Sequence, residues 1–265
     1  MYTYSKEHIS YLKKIKRNKR LVLFFQIFLV TVFLIVWELA SKYKLINSFL
    51  SSSPSLVYNT IISLYKSNNL FNHIYVTTYE VIYSFILASS IGFIIASILW
   101  FNKTIAKIVD PYLTVLNSLP KVALGPLIII WIGANTNSII FMSIMISLFI
   151  TIINMYNSFN NTDKYYITLL RTFNATRIQI FTKLIVPSNK INIINCLKVN
   201  ISMSLIGVIM GELLVSKEGL GYLIMYGSQV FNINLVITGV VLLALLSYIM
   251  YQIVSFIEKK TVKNS

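Results

Sequence analysis

The sequence predicts an all-α integral membrane protein with six transmembrane helices, and three observations carry that prediction. Of its 265 residues, 56% are hydrophobic and only 12% charged, against about 45–50% and about 25% in soluble domains. Mean hydropathy is +0.73. The apolar residues gather into runs of about 18 or more with few charges, the length that crosses a bilayer as a helix. The charges, finally, sit between and outside those runs. A formal net charge of +15 would suit a nucleic-acid binder, but no stripe of base-stacking aromatics accompanies the cations. Their placement fits a membrane surface instead, so nucleic acid is not an expected partner.

The first crossing is the apolar run 21–40, preceded by a basic segment, residues 1–20, that superficially resembles a signal peptide. The run is a full bilayer crossing long, and Trp37-Glu38-Leu39-Ala40-Ser41-Lys42 lacks a small-x-small cleavage site, so it reads as an uncleaved helix. A polar connector follows, with a turn at Ser51-Ser52-Ser53-Pro54-Ser55 and a short interfacial helix over 56–65. The second span covers about 74–100, with Gly92, Ala88, Ser89 and Ser90 offering a small-residue packing face. His73 reads as a polar cap ahead of it. The third, residues 111–132, contains Pro111, Pro120, Pro126, Gly125 and Gly133 and is predicted to be broken or kinked. Backbone freed at that depth must face protein or water, which makes this span the first candidate for lining a path through the bilayer. The fourth span runs about 138–156, the fifth about 191–215 and the sixth about 233–257, with a basic tail at 258–265.

Six crossings put both termini on one side. Lys103, Lys107, Lys164, Arg171, Arg177, Lys183 and Lys190 fall on that side with the terminal cations, whereas the other side holds Lys42, Lys44, Lys66 and Lys217. The positive-inside rule then places both termini, and the loop 158–190, in the cytoplasm of a cell whose plasma membrane the chain spans. One cysteine, Cys196, permits no disulfide within the chain, and with histidine only at 8 and 73 no cluster has metal-site spacing. Neither metal nor cofactor is expected.

The cytoplasmic loop is amphipathic and punctuated. Ile167, Leu170 and Phe173, then Ile178, Phe181 and Leu184, fall at helical spacing on two short segments. Asn174 suits the left-handed residue that ends the first, Thr176 is placed to cap the second, and Pro187 follows its end. A helix, a turn and a helix are predicted beneath the membrane. This loop resembles the "EAA" coupling loop of ABC importer permeases, Glu-Ala-Ala, three residues, Gly, nine residues, Ile-x-Leu-Pro. Thr168-Leu169-Leu170 stands at the Glu-Ala-Ala, Asn174 at the glycine and Leu184-Ile185-Val186-Pro187 at the end. The acidic residue is missing, and Asn replaces Gly, although Asn is the best non-Gly tenant of that conformation.

Further ordered matches resemble the nitrate, taurine and aliphatic sulfonate branch. They are Ser53-Pro54 with Val57, His73 with Thr77 and Phe85, the third-span run from Ser118 to Leu127, and Glu212 followed by Gly219-Leu220-Gly221. Glu80 departs from the branch, where a basic residue is usual. The resemblance implies a type I importer permease fold and a non-catalytic subunit. It implies a second permease copy, a cytoplasmic ABC ATPase holding the loop in a cleft, and an external solute-binding protein delivering a small anion such as a sulfonate, taurine or nitrate. Permeases for pyrimidine vitamin precursors are also similar. The chain has no Gly-x4-Gly-Lys-Ser/Thr phosphate loop, so ATP is expected on another subunit.

The residues expected to couple to the ATPase are Asp163, Arg171, Thr172, Phe173, Asn174, Ala175, Thr176, Arg177, Phe181 and Pro187. Those expected along the path are Asn117, Ser118, Pro120, Lys121, Pro126, Asn154 and Glu212. Several have blander readings: Lys121 can snorkel to the interface instead of attracting an anion, and Asn117, Ser118 and Asn154 can simply join helices. Glu38, Glu80 and Glu212 lie close enough to span ends to read as interfacial, with gating or outer contacts as a role for Glu212. An ion-coupled secondary transporter is the rival function, and it would want an embedded acidic or histidine relay. A membrane enzyme would need convergent nucleophile, base or metal groups, which the sequence does not offer.

Overall fold

The computed structural model describes residues 6–47 and 51–263, and among them every regular element is helical. The helices are α1 Lys6–Lys42, α2 Pro54–Lys66, α3 Asn69–Phe101, α4 Lys103–Ser118, α5 Gly125–Ile132, α6 Thr136–Asn160, α7 Lys164–Thr172, α8 Arg177–Ile180, α9 Lys190–Val215, α10 Leu220–Gln229 and α11 Ile233–Lys263. Five of them, α1, α3, α6, α9 and α11, are long and apolar enough to cross a membrane. The segments Lys103–Ser118 and Lys121–Ile132 make a sixth crossing if taken as one span bent by 84°. Both basic ends lie on helices rather than beside them: the described part of the N-terminal segment begins α1, and α11 carries the C-terminal cations as far as Lys263.

The bend falls between α4 and α5, not at the first proline. Pro111 lies inside α4, whereas Leu119, the residue before Pro120, leaves the helix at φ −61°, ψ 141°. A proline ring disfavours helical backbone in the residue ahead of it, which accounts for the break at that position. A single 3-10 turn, Lys121–Leu124, then leads into α5 with Pro126 in its first turn.

The centre of the bundle is α6 packed against α3 and α9. In lipid, helices gain little from hiding apolar surface from one another, so close approach through small residues and interhelical hydrogen bonds must hold them. Gly207 lies against the Ser143 backbone, Gly211 against Ile139 and Gly92 against Thr151. Ser143 Oγ donates to the Ser204 carbonyl at 2.9 Å, and Asn200 Nδ2 donates to Ser89 Oγ at 2.7 Å. Of the small face predicted for the second span, Ala88 and Gly92 are buried, Ser89 is half-buried and Ser90 is exposed, and the packed stripe continues to Ala96 instead. The first helix stands apart: none of its most apolar stretch is buried in the chain. It joins the body at its end, where Trp37 Nε1 donates to the Ser51 carbonyl at 3.3 Å and Glu38 accepts from Ser55 N and Oγ at 3.0 and 2.9 Å. Ser53 caps α2, accepting from Leu56 N.

Candidate functional site

The loop between α6 and α9 folds as a rigid corner. Asp163 opens α7 by accepting from Tyr165 N at 2.8 Å. At the other end of α7, Asn174 takes the left-handed conformation, φ 56°. Its N–H donates to the Arg171 carbonyl at 2.9 Å and the Ala175 N–H to the Leu170 carbonyl at 3.1 Å, the paired closure that satisfies the last free carbonyls of a helix. Two residues later Thr176 and Gln179 cap each other: Thr176 N donates to Gln179 Oε1 at 2.8 Å, and Gln179 N to Thr176 Oγ1 at 3.3 Å. With one helix end locked and the next beginning at once, the turn has little freedom left.

Pro187 does not end the second segment. The chain passes from α8 through a π-helical stretch, Phe181–Ile185, into the turn Val186–Ser188. Proline offers no N–H to the carbonyl four residues back, and a wider turn absorbs that gap without breaking the helix. Asn189 then ties the end of the loop to its start. It is buried, and its Nδ2 donates to Thr162 Oγ1 at 2.6 Å and to the Ile185 carbonyl at 2.9 Å. Sequence reasoning passed over it, because a polar residue ahead of an apolar run looks like any connector.

One face of the corner is anchored and the other is bare. Phe181 is buried among the rings of Trp100, Phe101 and Phe159, at centroid distances of 5.1, 5.1 and 5.5 Å, and Ile167, Leu170, Ala175 and Leu184 pack on the same cluster. Of the expected coupling residues, Phe181 is therefore a foundation and Ala175 half-buried. Asp163, Arg171, Thr172, Phe173, Asn174, Thr176, Arg177 and Pro187 are exposed. Large apolar groups of the corner are exposed as well: Phe173 is 74% exposed, Tyr165 68% and Ile178 67%.

The residues expected along the path do not converge. Asn117 and Ser118 end α4, Pro120 and Lys121 follow in the bend and Pro126 begins α5. Lys121 Nζ donates to the Asn117 carbonyl at 2.7 Å, placing its ammonium on the carbonyl end of α4, where a cation is favoured. Asn154 faces a separate cavity of about 310 Å³ that it shares with Asn157, Asn161, Asn192 and Asn195.

Glu212 belongs to a buried latch at the far end of the bundle. It is 1% exposed and Glu80 0%, so neither is interfacial; both face protein, because their helices pack on each other along that side. Thr77 Oγ1 donates to Glu212 Oε1 at 2.6 Å and accepts from Leu220 N at 2.8 Å, while Gly221 N donates to Glu212 Oε2 at 2.5 Å. His73 is no cap outside the span: it lies in α3, buried, with Nδ1 accepting from Gly219 N at 3.0 Å. Gly219 has φ 105°, and a Cβ there would fall on the Glu212 carboxyl. The side chain of Glu80, one turn along α3 from Thr77, lies beside Glu212. Among the described residues no cluster of histidine, cysteine and carboxylates could hold a metal.

Known proteins resemble this chain in sequence and in fold. The model of the family described as binding-protein-dependent transport system inner membrane component matches residues 88–263. The chain is 26% identical over 235 residues to the putative aliphatic sulfonates transport permease protein SsuC of Bacillus subtilis, covering 89% of this chain and 85% of that one. It is 26% identical over 189 residues to the formylaminopyrimidine transport permease protein ThiX of Halalkalibacterium halodurans, covering 71% and 75%. A chain of the MetNI methionine ABC transporter, solved in inward-facing conformations, superposes with a TM-score of 0.61 at 18% identity, over 69% of this chain and 94% of that one. With the family model covering about two thirds of the chain, from the middle of α3 through the corner to α11, the chain belongs to the binding-protein-dependent transport system inner membrane components, the permeases of ABC importers.

Proposed function

We propose that this permease passes a small solute, received from an external binding protein, through a pathway made with a second permease copy, and that a separate cytoplasmic ABC ATPase drives it through the residue 163–187 corner. The observation that carries the coupling role is the pairing of a locked turn with a bare apolar face. A coupling element must be stiff, because a floppy tether would absorb the ATPase's closure instead of converting it into a shift between two states of the bundle. Phe173, Ile178, Tyr165 and Tyr166, all exposed, supply the apolar contacts, and Arg171, Arg177 and Asp163 supply charges at the rim. Such a patch on a soluble face fits a partner's cleft.

For the solute, a small anion of the sulfonate, taurine or nitrate kind is the reading supported by the ordered motifs and by the likeness to SsuC. The likeness to ThiX supports a pyrimidine precursor as a second reading. Chains with this packing but different cargo would differ little here, since the binding protein makes the first selection.

The test is a pull-down of the C-terminally tagged chain from detergent-solubilised native membranes, beside a variant carrying Ala175→Glu and Arg177→Glu. An ATPase subunit is expected with the wild type and absent from the variant. Its absence from both, with the chain folded, would sink the proposed ATPase coupling and favour ion-coupled transport.

A further inference from the structure

A cavity of about 760 Å³ opens behind the corner, between it and the junction of α3 with α4. Its rim carries four cations, Lys103 at the start of α4, Lys164 and Arg171 on α7, and Arg177 on α8, and no acidic residue lines it. Among the described residues the side chains of Lys103, Lys164 and Arg171 make no hydrogen bond or ion pair; the one ion pair described joins Lys198 to Glu258. Arg177 reaches only the Phe101 carbonyl, at 3.4 Å. Four unneutralised charges around one concavity repel one another and favour a multivalent anion, and the arginine forks match phosphate oxygens. Thr104 and Thr168, also in the lining, add hydroxyls.

The wall behind the cations is apolar. Trp100 and Phe101 end a bilayer-length helix there, and Phe159, Ile167 and Ile180 continue the surface. Aromatic residues closing a span mark the headgroup level of a membrane. A free phosphate would satisfy the rim and leave this wall against water. A phosphate carried on a lipid satisfies both, and basic pockets at the ends of spans take anionic headgroups.

We propose that this cavity is a binding site for the headgroup of an anionic phospholipid, wedged between the coupling corner and the end of α3. It rests on the importer-permease reading only for the leaflet concerned, the cytoplasmic one. A lipid seated there would engage Arg171 and Arg177 from the cavity side, leaving the exposed Phe173, Tyr165 and Ile178 open to the ATPase.

Native mass spectrometry of the full chain released from micelles tests this, with phosphatidylglycerol, phosphatidylcholine or inorganic phosphate as the probe. The wild type is expected to retain phosphatidylglycerol but not phosphatidylcholine, and millimolar phosphate is not expected to displace it. The double variant Lys103→Ala with Lys164→Ala is expected to lose retention by about tenfold or more, while Lys107→Ala with Lys217→Ala, which removes the same charge outside the cavity, keeps it. Lys164→Gln alone, which removes the charge but keeps a polar side chain one atom shorter, serves if the double variant does not fold and is expected to show a smaller loss. Equal retention in the two double variants would overturn the proposal, as would displacement of the lipid by phosphate, which would assign the cavity to a free anion. Lipid retention is read without an ATPase, so failure of the pull-down above leaves this outcome separately legible.

Discussion

Thr77 uses its hydroxyl twice, donating to Glu212 and accepting from Leu220 N. Thr77→Val therefore strands a buried carboxylate oxygen and a buried amide, at about 1–3 kcal/mol each. Its melting temperature in detergent is expected to fall well below that of Thr78→Val, whose lost hydroxyl bonds only to Ile74 O in its own helix. Gly219→Ala combines a positive φ with a Cβ placed on the Glu212 carboxyl, and it is expected to destabilise the protein more than Thr77→Val in the same assay. None of these pairings was legible in the sequence. A glutamate near a span end and a Gly-Leu-Gly run are visible locally, but the hydroxyl between them comes from 135 positions away. Glu80 and Glu212 consequently read as interfacial until the packing of α3 on α9 puts both inside. Lys121 was equally opaque, since the carbonyl it reaches is free only because the helix ends where it does.

The helices themselves were readable, because a helix that crosses a bilayer needs a long apolar run with few charges. Punctuation within the α7–α8 corner was also legible: Asn174 and Thr176 adopt the left-handed and capping roles their side chains suit. Asn174→Gly should leave the corner intact, since glycine enters that conformation without strain. Asn174→Val should open it, at about 1–2 kcal/mol for the left-handed backbone, and hydrogen exchange at the Ala175 amide, which donates to Leu170 O, is expected to accelerate only in the valine variant. If both variants exchange alike, the left-handed residue does not hold the turn. The limits of the reading lie where backbone rules compete. Three prolines marked one broken span without saying which would break it, and Pro187 suggested an ending where a π-helical stretch carries the chain onward.

At the scale of the molecule, α11 is stitched to α9 by Lys198 and Glu258, whose Nζ and Oε2 lie 2.5 Å apart with side chains 15% and 22% exposed. Lys198→Ala leaves a mostly buried carboxylate without its partner and should cost about 1–3 kcal/mol, between the values for exposed and fully buried pairs. Thermal unfolding in detergent measures it, and the double variant Lys198→Ala with Glu258→Ala should recover part of the loss. No recovery would mean the two act independently. The first helix poses the opposite case, a full-length span whose described hydrogen bonds to the body come from Trp37 and Glu38 near its end. During synthesis such a helix is finished as soon as it leaves the ribosome, because every backbone bond it needs is its own and the bilayer asks only for greasiness. The spans α3, α6 and α9 must instead wait for one another before their small residues and amides find partners. The chain thus enters the membrane as an anchor first and a knot afterwards. Over generations Leu, Ile and Phe should interchange freely along the anchor, while a position such as Gly207, pressed against the Ser143 backbone, stays fixed.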